Sequence, residues 1–139
     1  MSNMKSVSLP KATSVEQRAF NYCHYLKSIE LPEATSVEYN TFDYCDAITS
    51  VSIPKATSVG ISAFSSCTAL VTISLPNAIT VEIKAFDGCT ALKYLYLQSA
   101  TTVADNAFLD DNKSKINVYV KRGTTWWNPW TDWGTVSEK

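Results

Sequence analysis

No stretch of this chain approaches the run of about 20 apolar residues that a membrane-spanning helix needs. Its opening, MSNMKSVSLP, also lacks the apolar segment of a secretion signal. An intracellular protein and a mature or trimmed piece of an exported one both fit that. There is no basic excess: Lys and Arg number 12 against 13 Asp and Glu, for a net charge of −1. Nucleic-acid binding usually leaves a basic patch and a high isoelectric point. Histidine occurs once, as His24, so a serine or cysteine nucleophile with an imidazole base has a single candidate partner. The cysteines form no C-x-x-C pair of the kind a zinc site uses. Phosphate-binding loops, dinucleotide-binding glycine patterns and calcium loops are missing too. The expectation is therefore no nucleic acid, no membrane insertion, no metal and no cofactor.

What the chain has is a period. Phe20, Phe42, Phe64, Phe86 and Phe108 stand 22 residues apart, and so do Cys23, Cys45, Cys67 and Cys89. Aligned units read LKSIELPEATSVEYNTFDYCDA from Leu26, ITSVSIPKATSVGISAFSSCTA from Ile48 and LVTISLPNAITVEIKAFDGCTA from Leu70. A further unit, LKYLYLQSATTVADNAFLDDNK, starts at Leu92, and a partial one precedes them from about Met4. Each unit opens on apolar–polar alternation such as Ile29-Glu30-Leu31, the mark of a half-buried strand. Pro10, Pro32, Pro54 and Pro76 follow and stop it, since proline gives nothing to a ladder. The columns of Ala34, Val37, Phe42 and Cys45 are the inward candidates of the second half, and Val37 to Phe42 suits a short turn or a single helical turn. One unit cannot bury its apolar face; stacked units can. At about 4.8 Å per strand, five or six coils make a body roughly 25 Å long, with phenylalanine as its spine. The 139 residues, 45% of them hydrophobic, suffice for one such domain.

This pattern resembles the BspA-like leucine-rich repeats, whose unit looks like L-x-x-I-x-L-P-x-x-x-x-x-I-x-x-x-A-F-x-x-C-x-x. The resemblance covers nearly the whole chain. Thr41 departs from it before Phe42, Gly60 stands where Glu38 and Glu82 do, Gln98 replaces proline and Asp111 replaces cysteine. It implies a leucine-rich-repeat solenoid, an α/β-type right-handed superhelix of mostly short parallel strands with turns and short helical segments. About five coils over residues 4–112 would be followed by a capping strand and tryptophan-rich tail over 113–139. It further implies a non-enzymatic protein-interaction or adhesion module at a bacterial cell surface or in a secreted protein. A structural spacer or assembly module, with no strong ligand of its own, is the alternative.

The four cysteines have three readings. Stacked coils bring their Cα atoms within disulfide range, but parallel side chains leave the Cβ atoms near the strand spacing, wider than the 3.8 Å or so a disulfide needs. A metal site lacks its paired ligands. A column of buried thiols acting as small hydrophobes remains the preferred reading. His24 aligns with Asp46, Thr68, Thr90 and Asn112, a polar column that marks an exposed loop. Glu16, Glu38 and Glu82 share a position and are expected in solvent, with Arg18 and Lys84 to offset them.

For binding, the outward strand columns read Ser8, Glu30, Ser52, Ser74, Tyr96 and Ser6, Ser28, Ser50, Thr72, Tyr94, beside Lys5, Lys27, Thr49, Val71, Lys93. The face is small and hydroxyl-rich until the fifth unit, where Tyr119 of the next strand joins Tyr94 and Tyr96. Tyrosine offers rigid contact area with a polar tip, so Tyr94, Tyr96, Tyr119, Lys93 and Trp127 are the candidate partner-binding residues. A protein on a host or bacterial surface is the expected partner, ahead of a glycan. Tyr22, Tyr25, Tyr39 and Tyr44 read as edge packing over the first coils, with Tyr22 stacked on Tyr44.

Both ends of a solenoid must be covered. At the C-terminal end the strand Ile116 to Val120 resumes one residue out of period, and TTWWNPWTDW, residues 124–133, follows. Trp126, Trp130 and Trp133 have the spacing of one helical face, with a short helix from Pro129 capped by Asn128 and Trp126 placed by the turn before it. At the other end Val7, Leu9, Val15 and Phe20 are expected to be uncovered, so that the end packs on another copy or on a preceding segment. If the tryptophans close the last coil, Trp130→Ala and Trp133→Ala each lower the melting temperature. A stability-neutral result for either would return this stretch to the status of an exposed platform.

Overall fold

A computed structural model describes residues 3–100, 102–104, 106–108, 115–120, 125–126 and 135–138. The first unit contributes one short strand and each later 22-residue unit two. In chain order they are β1 (Ser6–Ser8), β2 (Ser28–Glu30), β3 (Ser36–Val37), β4 (Ser50–Ser52), β5 (Ser58–Val59) and β6 (Thr72–Ser74). There follow β7 (Thr80–Val81), β8 (Tyr94–Leu97), β9 (Thr102–Val103), β10 (Asn117–Val120), β11 (Thr125–Trp126) and β12 (Thr135–Glu138). All described pairings are parallel and join the same positions of successive units, as in Ser28↔Ser50 and Val59↔Val81. The result is a solenoid of about five turns with strands on two faces.

One face carries β1-β2-β4 and then β6-β8-β10-β12, with β4 and β6 adjacent but unpaired. The other face is an uninterrupted sheet, β3-β5-β7-β9-β11, which keeps the coils in register across that break. The alternation in the sequence announces the first face. The second was missed, because a two-residue strand is too short to show a period of two.

The rest of each coil is made of successive reverse turns, and no α-helix occurs among the described residues. The short helical segments implied by the resemblance are replaced by these turns for a backbone reason. In Glu38–Cys45 the N–H groups alternate in target. Thr41, Asp43 and Cys45 donate three residues back, to Glu38, Asn40 and Phe42. Asn40, Phe42 and Tyr44 donate to Ile61, Ala63 and Ser65 of the next coil at 3.1, 2.8 and 2.9 Å. Of these outward donors Asn40 and Tyr44 have a left-handed backbone and Phe42 between them does not. Arg18, Asn40, Ser62 and Lys84 form one such column (φ 52–60°), and Tyr22, Tyr44, Ser66 and Gly88 a second (φ 57–70°). Only Gly88 among these eight is glycine.

Inside, the five phenylalanines form the expected spine. Consecutive rings lie 5.2–5.5 Å apart and within 13° of parallel. Alanines fill the narrow positions, and Ala34, Ala56, Ala63, Ala78 and Ala85 are fully buried. Thr41 is tolerated at one of them because its hydroxyl donates to Glu38 O at 2.9 Å. The repeated A-T-S-V segment has a related cause: Thr35 and Thr57 hydroxyls donate to the carbonyls of Thr13 and Thr35 in the preceding coils. At Gly60 the neighbouring coil comes so close that an added Cβ would lie 2.9 Å from Val37 O.

All four cysteines are buried and none is in a disulfide. Cys45, Cys67 and Cys89 each donate Sγ–H to a phenylalanine carbonyl of the preceding coil, at 3.1, 3.3 and 3.0 Å. The thiols therefore satisfy backbone acceptors as well as filling space. Burial raises the pKa of Cys23 and pushes Cys45 up to about 12, while contact with Cys89 and then burial hold Cys67 well above the usual range.

The N-terminal coil corrects part of the sequence expectation. Val15 and Phe20 are buried, at 7% exposure each, and Met4, Val7 and Ala19 are partly buried and packed against the core. Leu9 alone of the four is exposed, at 40%, where its counterparts Leu31 and Leu75 are at 1% and 0%. At the other end Trp126 lies in β11, opposite Val103, and not in a turn. β12 adds a rung beyond β10. Trp127, Asn128, Pro129, Trp130 and Trp133 lie outside the described residues.

Three outcomes follow. All four thiols should be inert to a thiol reagent in the native protein and reactive after unfolding. Below about pH 9 the Cys45 proton is held in both states; above it only the unfolded chain loses it. Stability should thus fall as pH rises from about 9 towards 12, by about 1.4 kcal/mol per pH unit for each such thiol, and Cys45→Ala should flatten the slope. Lys84→Gly should raise stability by about 0.5–1 kcal/mol in urea unfolding, as relief of about 1–2 kcal/mol of left-handed strain outweighs the entropy of glycine. An unchanged or lower midpoint would show that this column is unstrained.

Candidate interaction surface

Side chains on a parallel strand alternate between faces, and in-register stacking repeats each outward residue one strand spacing further on. Ser28, Ser50 and their neighbours thus line up, as do Glu30 and Ser52. Thr72 stands beside Tyr94 and Ser74 beside Tyr96. One coil on, Asn117 stands beside Tyr94 and Tyr119 beside Tyr96. The extra residue of this coil shifts the sequence numbering without breaking the ladder.

The structure brings Tyr96 and Tyr119 into a face-to-face stack, with ring centroids 4.7 Å apart and planes within 8°. Both are half-buried. Tyr94, two residues before Tyr96 on the same face, is 39% exposed. Lys93 is exposed at the foot of β8, and its backbone is tied on both sides: its N–H donates to Val71 O at 2.8 Å, and its carbonyl accepts from Asn117 N–H at 2.7 Å and from Asn117 Nδ2 at 3.2 Å. Three tyrosines and a lysine therefore sit on a rigid ladder, next to a small, hydroxyl-bearing rung. Trp127, the fifth candidate, lies outside the described residues.

The early aromatics differ from their expected role. Tyr22 and Tyr44 do stack, at 4.8 Å and 5°, and His24 meets Tyr22 edge-on at 5.9 Å. They are not covered packing, however. Tyr22 is 55% exposed, Tyr25 57%, Tyr44 43% and Tyr39 38%. The left-handed backbone at Tyr22 and Tyr44 turns these side chains outward while the neighbouring phenylalanines turn in. In the sequence, the column mates of these tyrosines, Ser66 and Gly88, do not settle it, since small residues occur in cores as well as on surfaces. Arg18 does not offset a glutamate as expected; its guanidinium lies 5.2 Å above the Tyr39 ring. Glu16, Glu38 and Glu82 are exposed as expected.

Other chemistry finds no constellation. Cys23 is buried while the adjacent His24 is exposed and has Nδ1 3.1 Å from Asp46 Oδ1. No group of three or more His, Cys, Asp and Glu among the described residues could hold a metal ion. No helix among them is long and apolar enough to cross a membrane.

The profile of the BspA type leucine rich repeat region matches residues 1–115, in six copies. The chain belongs to this family. Comparison with curated proteins returns no match. Among solved structures, this repeat chain is similar to a leucine rich cell surface protein from Faecalibacterium prausnitzii, with a TM-score of 0.75 and 22% identity over 99% of the chain. It is also similar to a leucine-rich repeat protein from Bacteroides ovatus, with a TM-score of 0.57 and 21% identity over 84% of the chain. At this identity the likeness speaks for the fold. The chain spans 36% and 39% of the length of these two proteins.

Proposed function

We propose that this repeat chain is a non-enzymatic protein-interaction module of a bacterial cell-surface or secreted protein, and that it serves adhesion. The contact is centred on Tyr94, Tyr96 and Tyr119, with Lys93 at its border and Trp127 kept as a further candidate from the sequence, and the partner is a protein on a host or bacterial surface. What carries the reading is the stacked Tyr96–Tyr119 pair beside exposed Tyr94, on a strand face otherwise built mostly from serine and threonine. Packing of the fold does not need rings there, since the same columns hold serine and threonine in most other coils. Rigid, amphipathic rings lose little entropy on binding. The neighbour described as a cell surface protein supports the location.

The small hydroxyl-rich face of the first four coils supports a second reading, a spacer or assembly module. The two separate in one experiment. Beads coated with the chain are applied to cultured epithelial cells, with and without prior trypsin treatment of the cells. Adhesion predicts attachment that trypsin abolishes and that Tyr94→Ala/Tyr96→Ala/Tyr119→Ala reduces at least about tenfold, the scale of losing one or two good contacts. Attachment unchanged in the triple variant would sink the patch, and no attachment at all would favour the spacer.

A further inference from the structure

The exposed tyrosine column of the early coils stops abruptly. Tyr22 and Tyr44 occupy it face to face at 4.8 Å. The next two coils put Ser66 and Gly88 there, and these pack tightly on each other, because a Cβ on Gly88 would lie 3.2 Å from Ser66 Oγ. The surface therefore steps down. Tyr44, 43% exposed, stands as a wall, and Ser66 with Gly88 forms a floor two coils, or about 10 Å, long. A flat ring placed one stacking distance beyond Tyr44 would sit above Ser66.

The neighbouring column supplies the edge of this ledge. It holds Asp46, Thr68 and Thr90, all exposed. The Thr68 hydroxyl donates its proton to Asp46 O at 3.3 Å, which leaves its oxygen lone pairs to accept from an incoming O–H. The Asp46 carboxylate is half-exposed, with Oδ1 3.1 Å from His24 Nδ1, and it offers a negatively charged acceptor to incoming hydroxyls. It would repel an anionic occupant. An uncharged ring bearing hydroxyls at its rim matches wall, floor and edge together.

We propose that this ledge binds one pyranose ring of a neutral saccharide, stacked on Tyr44 over Ser66 and Gly88, with its hydroxyls on Thr68, Thr90 and Asp46. The site is separate from the Tyr96–Tyr119 pair and does not depend on the adhesion reading.

The test is an amide NMR titration of the full chain with neutral tetrasaccharides of glucose, mannose, galactose and xylose, each to about 20 mM. At least one should shift the Ser66, Gly88 and Thr90 signals saturably, with a Kd of about 1–10 mM, as suits a single-ring contact. Ser66→Tyr should abolish the effect by putting a ring in the slot. The backbone accepts that change, because Ser66 has φ 57° where Tyr22 and Tyr44 have 58°. Tyr44→Ser should weaken binding at least about tenfold, and since serine already occupies the column at Ser66, this variant also keeps the fold. The proposal is overturned if no saccharide shifts these amides, or if the shifts persist unchanged in Ser66→Tyr. It is equally overturned if N-acetyltyrosinamide shifts them and no saccharide does, since the slot would then hold an aromatic side chain of a protein.

Discussion

The N–H groups of Phe42 and Phe64 each reach a carbonyl of the following coil at 2.8 Å, those of Leu31 and Leu75 do so at 2.9 Å, and Thr57 N–H reaches back to Thr35 O at 2.8 Å. On three sides of the coil the backbone is thus completed by its neighbour, not by itself. A single unit would leave these groups without partners away from water, at a cost of about 1–3 kcal/mol each. Everything else in the molecule depends on this coupling. It holds successive coils one strand spacing apart, in a register where a one-residue slip would turn Ile29, Ile73 and Leu95 out to solvent. It also makes like residues superimpose, so that one phenylalanine per coil becomes a stack, and one cysteine per coil becomes a line of donors to the carbonyls of the coil before.

Superposition has costs as well. A residue that is harmless once becomes a column when repeated. Asp43, buried at 8% exposure, has its carboxyl pKa raised, first by burial, with Asp87 two coils away adding to the effect. Ser65 between them dilutes the charge. Gly60 likewise interrupts the glutamate column between Glu38 and Glu82. The left-handed positions are another repeated cost, borne because outward-pointing N–H groups at Asn40 and Tyr44 are what tie one coil to the next.

Where a column changes residue, the surface acquires a feature. On the strand face the change runs from serine and threonine to tyrosine, and the Tyr96–Tyr119 stack results. On the adjoining turn face it runs the opposite way, from Tyr44 to Ser66 and Gly88, and leaves a ledge. Both features come from a regular scaffold whose repeat is broken at one coil, with rigidity supplied by backbone bonding on either side. Such positions are held accurately without any local specialisation of the chain.

Much of this was legible because period and column are sequence properties. The phenylalanine spine, the buried thiols, the Tyr22–Tyr44 stack and the outward strand columns need only the 22-residue spacing and alternation. The second sheet was not legible, since Ser36–Val37 and its equivalents are too short to carry a pattern. Nor was the exposure of the early tyrosines. It depends on the sign of φ at Tyr22 and Tyr44, and tyrosine carries no local mark for a left-handed backbone, as glycine would. The burial of Val15 and Phe20 was not legible for a different reason: it depends on how the first coil packs against the core, where Met4, Val7 and Ala19 also lie partly buried. The chain alone therefore determined which residues stack, because equal spacing does that whatever the path of the coil. Tertiary structure decided which of those stacks face water, because that rests on backbone torsions set by hydrogen bonds to the next coil.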